Sequence, residues 1–461
     1  MTKSSGKSNQ FYWGSIQTLW GNVFSEGLRG YLVRGTFGTF GLQMVSTGFG
    51  LVTNILLARF LGTKEYGLYT YIFAWIGLLV TIAMFGMGNV LIREISAFHT
   101  KKEWGYLRGL IQWTITRGLI IFILVVFIAM TIGWMMQEYL PSGIFPAFWV
   151  ALAIVPFLAA TNLISAALQG FRRVLVSKIP SVLIRAPLLL VLIVFGYQFY
   201  PQAFSTFTII VLSGIAIGVD LIVGSWWLYK TIPRDVFRSP AEFPKKTWLY
   251  SALPFLLMMG FFELNTRIPT LMLGSLADIQ AVGFYNVASL VSGLVSFILM
   301  AVNVALGPII SSLYASGEMN RLQRIVTLSA RMMFLVGCLV ALLLAVLRYW
   351  LLDLFGPEFQ EAGPILLILL LGQVINVAAG SVGTLLLMTG YEKYVVTAVG
   401  ISTVLVFALN MFFIPLWGGM GAAYATVTGL VLWNVLLLHQ VSRRLGIDST
   451  AIGLFGRYKA T

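Results

Sequence analysis

Long apolar runs, separated by short polar segments, recur along almost the whole chain. Many of them reach the roughly 20 residues that a helix needs to cross the hydrocarbon layer of a bilayer. Their Leu, Ile, Val and Phe residues lack the alternation of a membrane β-strand, so the pattern predicts α-helices. The predicted protein is all-α and polytopic, with twelve spans at 33–58, 66–91, 110–135, 145–167, 179–198, 205–228, 249–276, 282–307, 326–350, 363–389, 394–416 and 419–439.

The polar segments between these runs divide the chain into five parts. Residues 1–31 are predicted to be a cytoplasmic tail, 32–230 a six-helix bundle, 231–248 a cytoplasmic linker, 249–440 a second six-helix bundle and 441–461 a second tail. Within 11–30, apolar residues recur at helical spacing between polar ones, which predicts an amphipathic helix at the membrane interface. An unstructured tail is the alternative. No cleavable signal peptide is recognisable at the start.

Composition and charge support a membrane location and predict an orientation. Hydrophobic residues make up 59% of the chain and charged residues 10%, against about a quarter charged in an average soluble protein. The net charge is +14, yet the outer segments hold only Arg59, Lys64 and Arg348, while the other basic residues counted for topology lie toward the inside. The positive-inside rule then predicts a multi-pass protein of the inner (cytoplasmic) membrane with both termini in the cytoplasm. The basic excess is a topology signal and does not indicate nucleic-acid binding.

An internal sequence repeat relates the two predicted bundles to each other. The segment 61–69 (LGTKEYGLY) closes the first predicted helix and opens the second, and 273–285 (LGSLADIQAVGFY) does the same between the seventh and eighth. Both read Leu-Gly, a short turn, then Gly, an apolar residue and Tyr. Because six helices lie in each unit, the two halves have the same orientation across the membrane, and the repeat is parallel.

Several motifs resemble those of a known family. The segment 57–62 (LARFLG) followed by 65–69 (EYGLY), the segment 86–88 (GMG) leading into 93–96 (REIS), and 308–313 (PIISSL) are similar to those of the polysaccharide transporter, or oligosaccharide flippase (Wzx-like), family. That family belongs to the multidrug/oligosaccharidyl-lipid/polysaccharide exporter superfamily. The resemblance implies a MATE-like fold, in which two six-helix bundles alternately open a central cavity to either side. It also implies a polyprenyl-diphosphate-linked oligosaccharide as cargo, with polysaccharide polymerase and chain-length proteins as partners.

A few ionisable side chains lie inside the predicted spans. A charge at the centre of a membrane helix costs about 3 kcal/mol or more, so such residues usually face a protein interior or a watery path. Arginine presents a planar fork that suits phosphate, which indicates an anionic cargo. The predicted substrate-binding residues are Arg267, Arg185, Arg34, Glu263 and Asn265. Two structural ion pairs, Glu263 with Arg267 and Arg185 with Asp220, are the alternative, and interface anchoring is the alternative for Arg34.

Other residues are candidates for gating or coupling. Asp220 and Glu263 are the carboxylates of the predicted spans, so proton or sodium coupling is a hypothesis that involves them. Arg59 is a predicted outer-gate residue or a structural partner of Glu65, and Arg93 with Glu94 is a predicted gate or loop lock. No cofactor and no metal site is predicted. Candidates for stacking on sugar rings are Tyr66, Tyr69, Tyr71, Trp75, Tyr285 and Asn286.

Two other classes of protein compete with a flippase. A drug exporter of the same fold mostly moves cations and requires carboxylates in its lumen, whereas this chain has more arginines than acids inside its spans. A glycan polymerase or ligase generally needs a large outer loop, and the predicted outer loops are short. No HExxH motif and no phosphate-binding GxxxxGK[ST] loop is present in the sequence. The chain is therefore predicted to be a transporter for lipid-linked oligosaccharide and not an enzyme.

Overall fold

The computed structural model describes residues 28–135, 144–243 and 247–451, and within these ranges the fold is built from helices and short connections. The predicted amphipathic helix at 11–30 lies almost wholly outside the described residues. Each of the twelve predicted spans is mainly helical where it is described, which confirms the all-α polytopic fold. The helices are numbered α1 to α12 in chain order.

The first six helices follow one another with short turns. Leu28–Met84 is a continuous stretch that bends at Gly62 and so contains α1 (28–61) and the first part of α2 (63–84), which continues as Met87–Lys101. Then follow α3 (Trp104–Met135), α4 (Ile144–Gly170), α5 (174–199) and α6 (Thr206–Thr231). The linker contains a short helix at Arg234–Arg238.

The second half of the chain also forms six helices. They are α7 (Thr247–Leu276), α8 (Ile279–Ala315), α9 (Met319–Val346) and α10, which consists of Gly363–Ala379 and Val382–Met388. Glu392–Leu445 bends at Gly418 and contains α11 (392–417) and α12 (419–445). Several helices extend beyond their predicted spans, because an apolar run marks only the part of a helix that lies in hydrocarbon.

Backbone breaks occur where the sequence permits them. Gly62 has φ +72° and Gly418 has φ +52°, conformations that glycine adopts without steric cost. In α5 the turn Pro180–Arg185 is π-helical, since the prolines at 180 and 187 lack the N–H that a regular helix requires. Arg185 is the last residue of this wider turn.

Nine stretches of the described residues are long and apolar enough to cross a membrane. Two of them contain two helices each, and α7, which carries Glu263, Asn265 and Arg267, is not among them. Many apolar side chains of α3 are exposed, for example Leu119 at 60% and Phe127 at 67%, as expected of a helix that faces lipid.

The two six-helix lobes meet where α1 and α2 pack against α7 and α8. The largest buried cluster crosses this boundary, with Tyr66 from α2 and Val287 from α8 among its members. The two repeat turns lie together at one end of the molecule, called here the hairpin end. There a Cβ on Gly283 would lie 2.7 Å from the carbonyl oxygen of Thr63, and a Cβ on Gly67 would collide with the carbonyl oxygen of Ile279. The equivalent glycines of the repeat thus permit a direct backbone contact between the lobes.

Candidate functional site

Three neighbouring cavities lie between and within the lobes. The arginine cavity, of ≈ 410 Å³, is enclosed by α2, α4, α5, α6 and α7. The polar cavity, of ≈ 590 Å³, lies between α1, α2, α7 and α8. The Asp220 cavity, of ≈ 190 Å³, lies between α4, α5 and α6. Arg185 lines both the Asp220 cavity and the arginine cavity, and Arg267 lines both the arginine cavity and the polar cavity.

The arginine cavity brings together three of the predicted site residues: Arg185, Glu263 and Arg267. Arg185 comes from the first lobe and Arg267 from the second, although 81 positions separate them in the chain. Two guanidinium groups and one carboxylate give this lining an excess of positive charge. The buried hydroxyl of Ser213, 3% exposed, also lines it and has no hydrogen-bond partner among the described residues.

Arg267 and Glu263 form the ion pair that their spacing on α7 predicts. Arg267 Nε donates to Glu263 Oε1 at 2.8 Å, and the two side chains are 39% and 28% exposed. Glutamate four residues before arginine is the favourable order for such a pair on a helix. The described residues supply no other acceptor to this guanidinium, so its terminal nitrogens remain available to a planar anion.

Gly77 on α2 also lines the arginine cavity and lies directly against this ion pair. A Cβ at Gly77 would lie 2.8 Å from Glu263 Oε1 and 3.2 Å from Arg267 Nε. Glycine therefore lets the backbone of the first lobe approach an ion pair of the second. No pattern in the sequence around Gly77 distinguishes it from the many other helical glycines, and its role was not predicted.

Arg185 and Asp220 form the second predicted ion pair, with 3.3 Å between Nη1 and Oδ2. The Asp220 side chain is 5% exposed and that of Arg185 is 32% exposed. Asp220 does not line the arginine cavity but lies behind it, where Lys178 is a further cation that the sequence analysis did not single out. Arg185 thus has its counter-ion on one side and the shared cavity on the other.

Other predicted site residues lie elsewhere. Asn265 is directed to α11, where its Nδ2 lies 3.3 Å from Ser402 Oγ and 3.2 Å from Thr403 Oγ1, because it is on the face of α7 opposite to Glu263. It lines none of the three cavities, so the structure does not place it at the predicted substrate site. Arg34 is within α1, but its side chain is outside the described part of the chain.

The predicted gate residues also lie away from the cavities. Arg59 is exposed and forms no ion pair with a described residue, and the carboxylate of Glu65 instead accepts hydrogen bonds from the backbone N–H and hydroxyl of Thr206 at the start of α6. Arg93 pairs with its neighbour Glu94 at 2.7 Å and is 51% exposed. Among the described residues no cluster of three or more His, Cys, Asp or Glu side chains forms a metal site.

The Arg185–Asp220 pair allows a test of stability. Arg185→Leu leaves a buried carboxylate without its cation, and we expect a loss of about 3 kcal/mol in the free energy of unfolding. The double variant Arg185→Leu/Asp220→Leu should recover most of that loss. Thermal unfolding in detergent measures both, with Arg93→Leu as the exposed-pair control, expected to cost under about 1 kcal/mol. Equal losses from Arg185→Leu and Arg93→Leu would contradict this account.

The chain matches two family models. The model described as "Polysaccharide biosynthesis protein" matches residues 32–314, which is more than half of the chain, and the model described as "MatE" matches residues 254–412. No curated protein sequence matches the chain. The first match covers all of the first lobe and α7 and α8, so it includes every residue of the arginine cavity.

Solved structures share the fold at low sequence identity. An inward-facing multidrug resistance MATE family transporter of the MOP superfamily aligns with a TM-score of 0.74 at 14% identity, covering 87% of this chain and 94% of the other. The lipid II flippase MurJ in an inward closed conformation gives 0.69 at 14% identity, with coverages of 88% and 87%. A MOP superfamily transporter from Pyrococcus furiosus gives 0.65 at 15% identity, with coverages of 90% and 95%. These likenesses establish a two-lobed membrane transporter fold.

Proposed function

We propose, from the premise that this chain belongs to the polysaccharide biosynthesis protein family, that it is a flippase for polyprenyl-diphosphate-linked oligosaccharide. The proposal depends above all on one observation: Arg185 of one lobe and Arg267 of the other line a single cavity. A lipid-linked diphosphate presents closely spaced anionic oxygens, and guanidinium forks bind such oxygens with paired, charge-assisted hydrogen bonds.

Both arginines are held in position before the cargo arrives. Glu263 and Asp220 each bind one edge of a guanidinium, which offsets part of the cost of a charge inside the membrane. A diphosphate entering the cavity takes up the remaining donors or replaces a carboxylate. The two acids are then the residues through which a proton or sodium gradient would be coupled to transport.

Alternating access supplies the movement in this proposal. The arginine cavity is lined by both lobes, and at the hairpin end Gly67 and Gly283 bring the backbones of the two lobes into contact. Rocking one lobe against the other would open that end and release the glycan while the polyprenyl chain stays in the bilayer. With the hairpin end on the outside, the protein is a multi-pass protein of the inner membrane with both termini in the cytoplasm. The polysaccharide polymerase and chain-length proteins that act on the released cargo are its proposed partners.

The second candidate is a cation-coupled multidrug exporter, which the likeness to MATE transporters favours. The cavity argues against it, because the carboxylate it contains is already paired with Arg267 and the lining has an excess of arginine. A glycan polymerase or ligase is less well supported, since the described cavities lack a histidine and the residues between α9 and α10 bring no cation near the arginine cavity.

The purified protein in proteoliposomes tests the proposal. We expect it to move a short-chain polyprenyl diphosphate that carries a neutral sugar from one leaflet to the other, and not to expel a cationic dye along a proton gradient. Protein-free vesicles and vesicles with heat-inactivated protein are the controls. Dye export without movement of the lipid-linked sugar would establish the exporter instead.

A further inference from the structure

The polar cavity continues the arginine cavity on the side of the second lobe. Arg267, Tyr69 and Phe73 line both, so they form the boundary between the two spaces. The volume of ≈ 590 Å³ is within the range of about 300–1,000 Å³ that is typical of small-molecule sites. A ligand in either cavity can therefore contact Arg267.

The lining of the polar cavity changes from one end to the other. Leu290, Leu294, Phe297 and Met300 of α8 make one end mainly apolar, and the hydroxyl of Ser296 there is already bonded to Gln373. Tyr285, Asn286 and Ser289 of the same helix make the other end polar. From Asn286 to Met300 the helix rises about 20 Å. The polar end is the one nearest the hairpin end, at the start of α8.

Uncharged groups surround that polar end. Tyr66 donates to Asn54 Oδ1 at 2.9 Å, and Asn286 Nδ2 donates to the carbonyl oxygen of Val282 at 2.8 Å and lies 3.4 Å from Thr270 Oγ1. Asn286 Oδ1 accepts no hydrogen bond from a described residue and is one of the acceptors that the cavity offers. Amides and hydroxyls held in place in this way are the groups that recognise the hydroxyls of a sugar.

Aromatic residues of α2 also line the polar cavity. Tyr66, Tyr69 and Phe73 follow one another along α2, with 6.4 Å between the first two ring centroids and 4.5 Å between the last two. Tyr66 is buried, at 1% exposure, so Tyr69 and Phe73 are the rings that can pack against the apolar face of a sugar. Tyr71 and Trp75, which were also predicted to stack on sugars, line none of the three cavities, and Tyr71 instead packs on Gly274 and lies 3.3 Å from Ser275 Oγ.

We propose that the polar end of this cavity binds the sugar that is attached to the diphosphate, and that it accepts an uncharged sugar. The inference rests on the proposed function, which assigns the diphosphate to the arginine cavity. Among the described residues, Arg267 is the one charged side chain that lines the polar cavity, and the diphosphate engages it. The carboxylate of an acidic sugar would lose its hydration there without gaining a cation, which is strongly unfavourable.

Transbilayer movement of four short-chain polyprenyl diphosphates tests the inference. One carries glucose, one galactose, one glucuronic acid and one no sugar. For the wild-type protein we expect at least one lipid with a neutral sugar to move roughly tenfold faster than the glucuronic acid lipid and the bare diphosphate, since two hydrogen bonds of ordinary strength to the sugar are sufficient for that ratio. Asn286→Leu should reduce the rate of movement of the neutral-sugar lipid to that of the bare diphosphate. It should leave the rate of the bare diphosphate unchanged. Asn303→Leu on the same helix, outside the three cavities, is the matched control.

The outcomes separate this inference from the function on which it rests. If the glucuronic acid lipid or the bare diphosphate moves as fast as both neutral-sugar lipids, the proposed sugar site is wrong and the proposed flippase function is retained. If Asn286→Leu slows the bare diphosphate as much as the neutral sugar, Asn286 acts on the fold or on gating, and the sugar site is again wrong. If none of the four lipids moves, the proposed function fails and the sugar site fails with it.

Discussion

Arg267→Ala is expected to abolish transbilayer movement of the lipid-linked sugar while the protein still inserts and folds. Hydrogen bonds to charged groups contribute about 1.5–3 kcal/mol each, so the loss of two phosphate contacts predicts a decrease of roughly a hundredfold or more. The folded state should tolerate the change, because Glu263, its partner, is 28% exposed in a cavity and keeps contact with water. The measurement is the initial rate in proteoliposomes, normalised to the amount of folded protein.

Two further variants make this prediction specific. Arg321→Ala removes an arginine from an exposed i,i+3 pair with Glu318 and should leave the rate unchanged. Arg267→Lys keeps the charge but removes the planar fork, so we expect an intermediate rate. If Arg267→Lys transports at the wild-type rate, Arg267 acts through its charge alone. If Arg267→Ala transports at the wild-type rate, Arg267 does not lie on the path of the cargo.

Gly67→Ala is expected to stop transport by preventing closure of the hairpin end. Within a helix, alanine is more favourable than glycine by about 1 kcal/mol, so a loss of function cannot come from helix propensity. At Gly67 the new Cβ meets the carbonyl oxygen of Ile279, a backbone atom that cannot rotate away as a side chain would. The lobes must then separate at this end, and the conformational equilibrium shifts toward the state open there.

Distances between spin labels measure this shift directly. Lys64 and Asp278 are exposed on opposite sides of the contact, and both can be changed to cysteine once the single cysteine is removed by Cys338→Ser. We expect Gly67→Ala to lengthen the distance between the labels and to lower the rate of sugar movement. Gly218→Ala, with no atom within 4 Å of the new Cβ, should change neither. An unchanged distance in Gly67→Ala would show that the contact does not control closure.

The sequence was sufficient to predict the helices. Backbone groups in hydrocarbon must be satisfied within their own segment, so the length of each apolar run determines a helix without reference to the rest of the fold. The ion pair of Glu263 with Arg267 was predictable for the same reason, since a spacing of four is a local property of a helix. The Leu-Gly and Gly-apolar-Tyr repeat predicted two lobes because similar turns recur at equivalent positions.

What the tertiary structure alone decided is the meeting of residues that are distant in the chain. Arg185 and Arg267 share one cavity only because α5 and α7 pack around α2, and nothing local to either residue indicates this. Asn265, a predicted substrate residue, is directed to α11 because neighbouring positions on a helix face different directions. Gly77 and Gly67 acquire their importance from backbone and side chains of the other lobe. Helix formation depends on local hydrogen bonding, whereas a cavity depends on the long-range packing of helices.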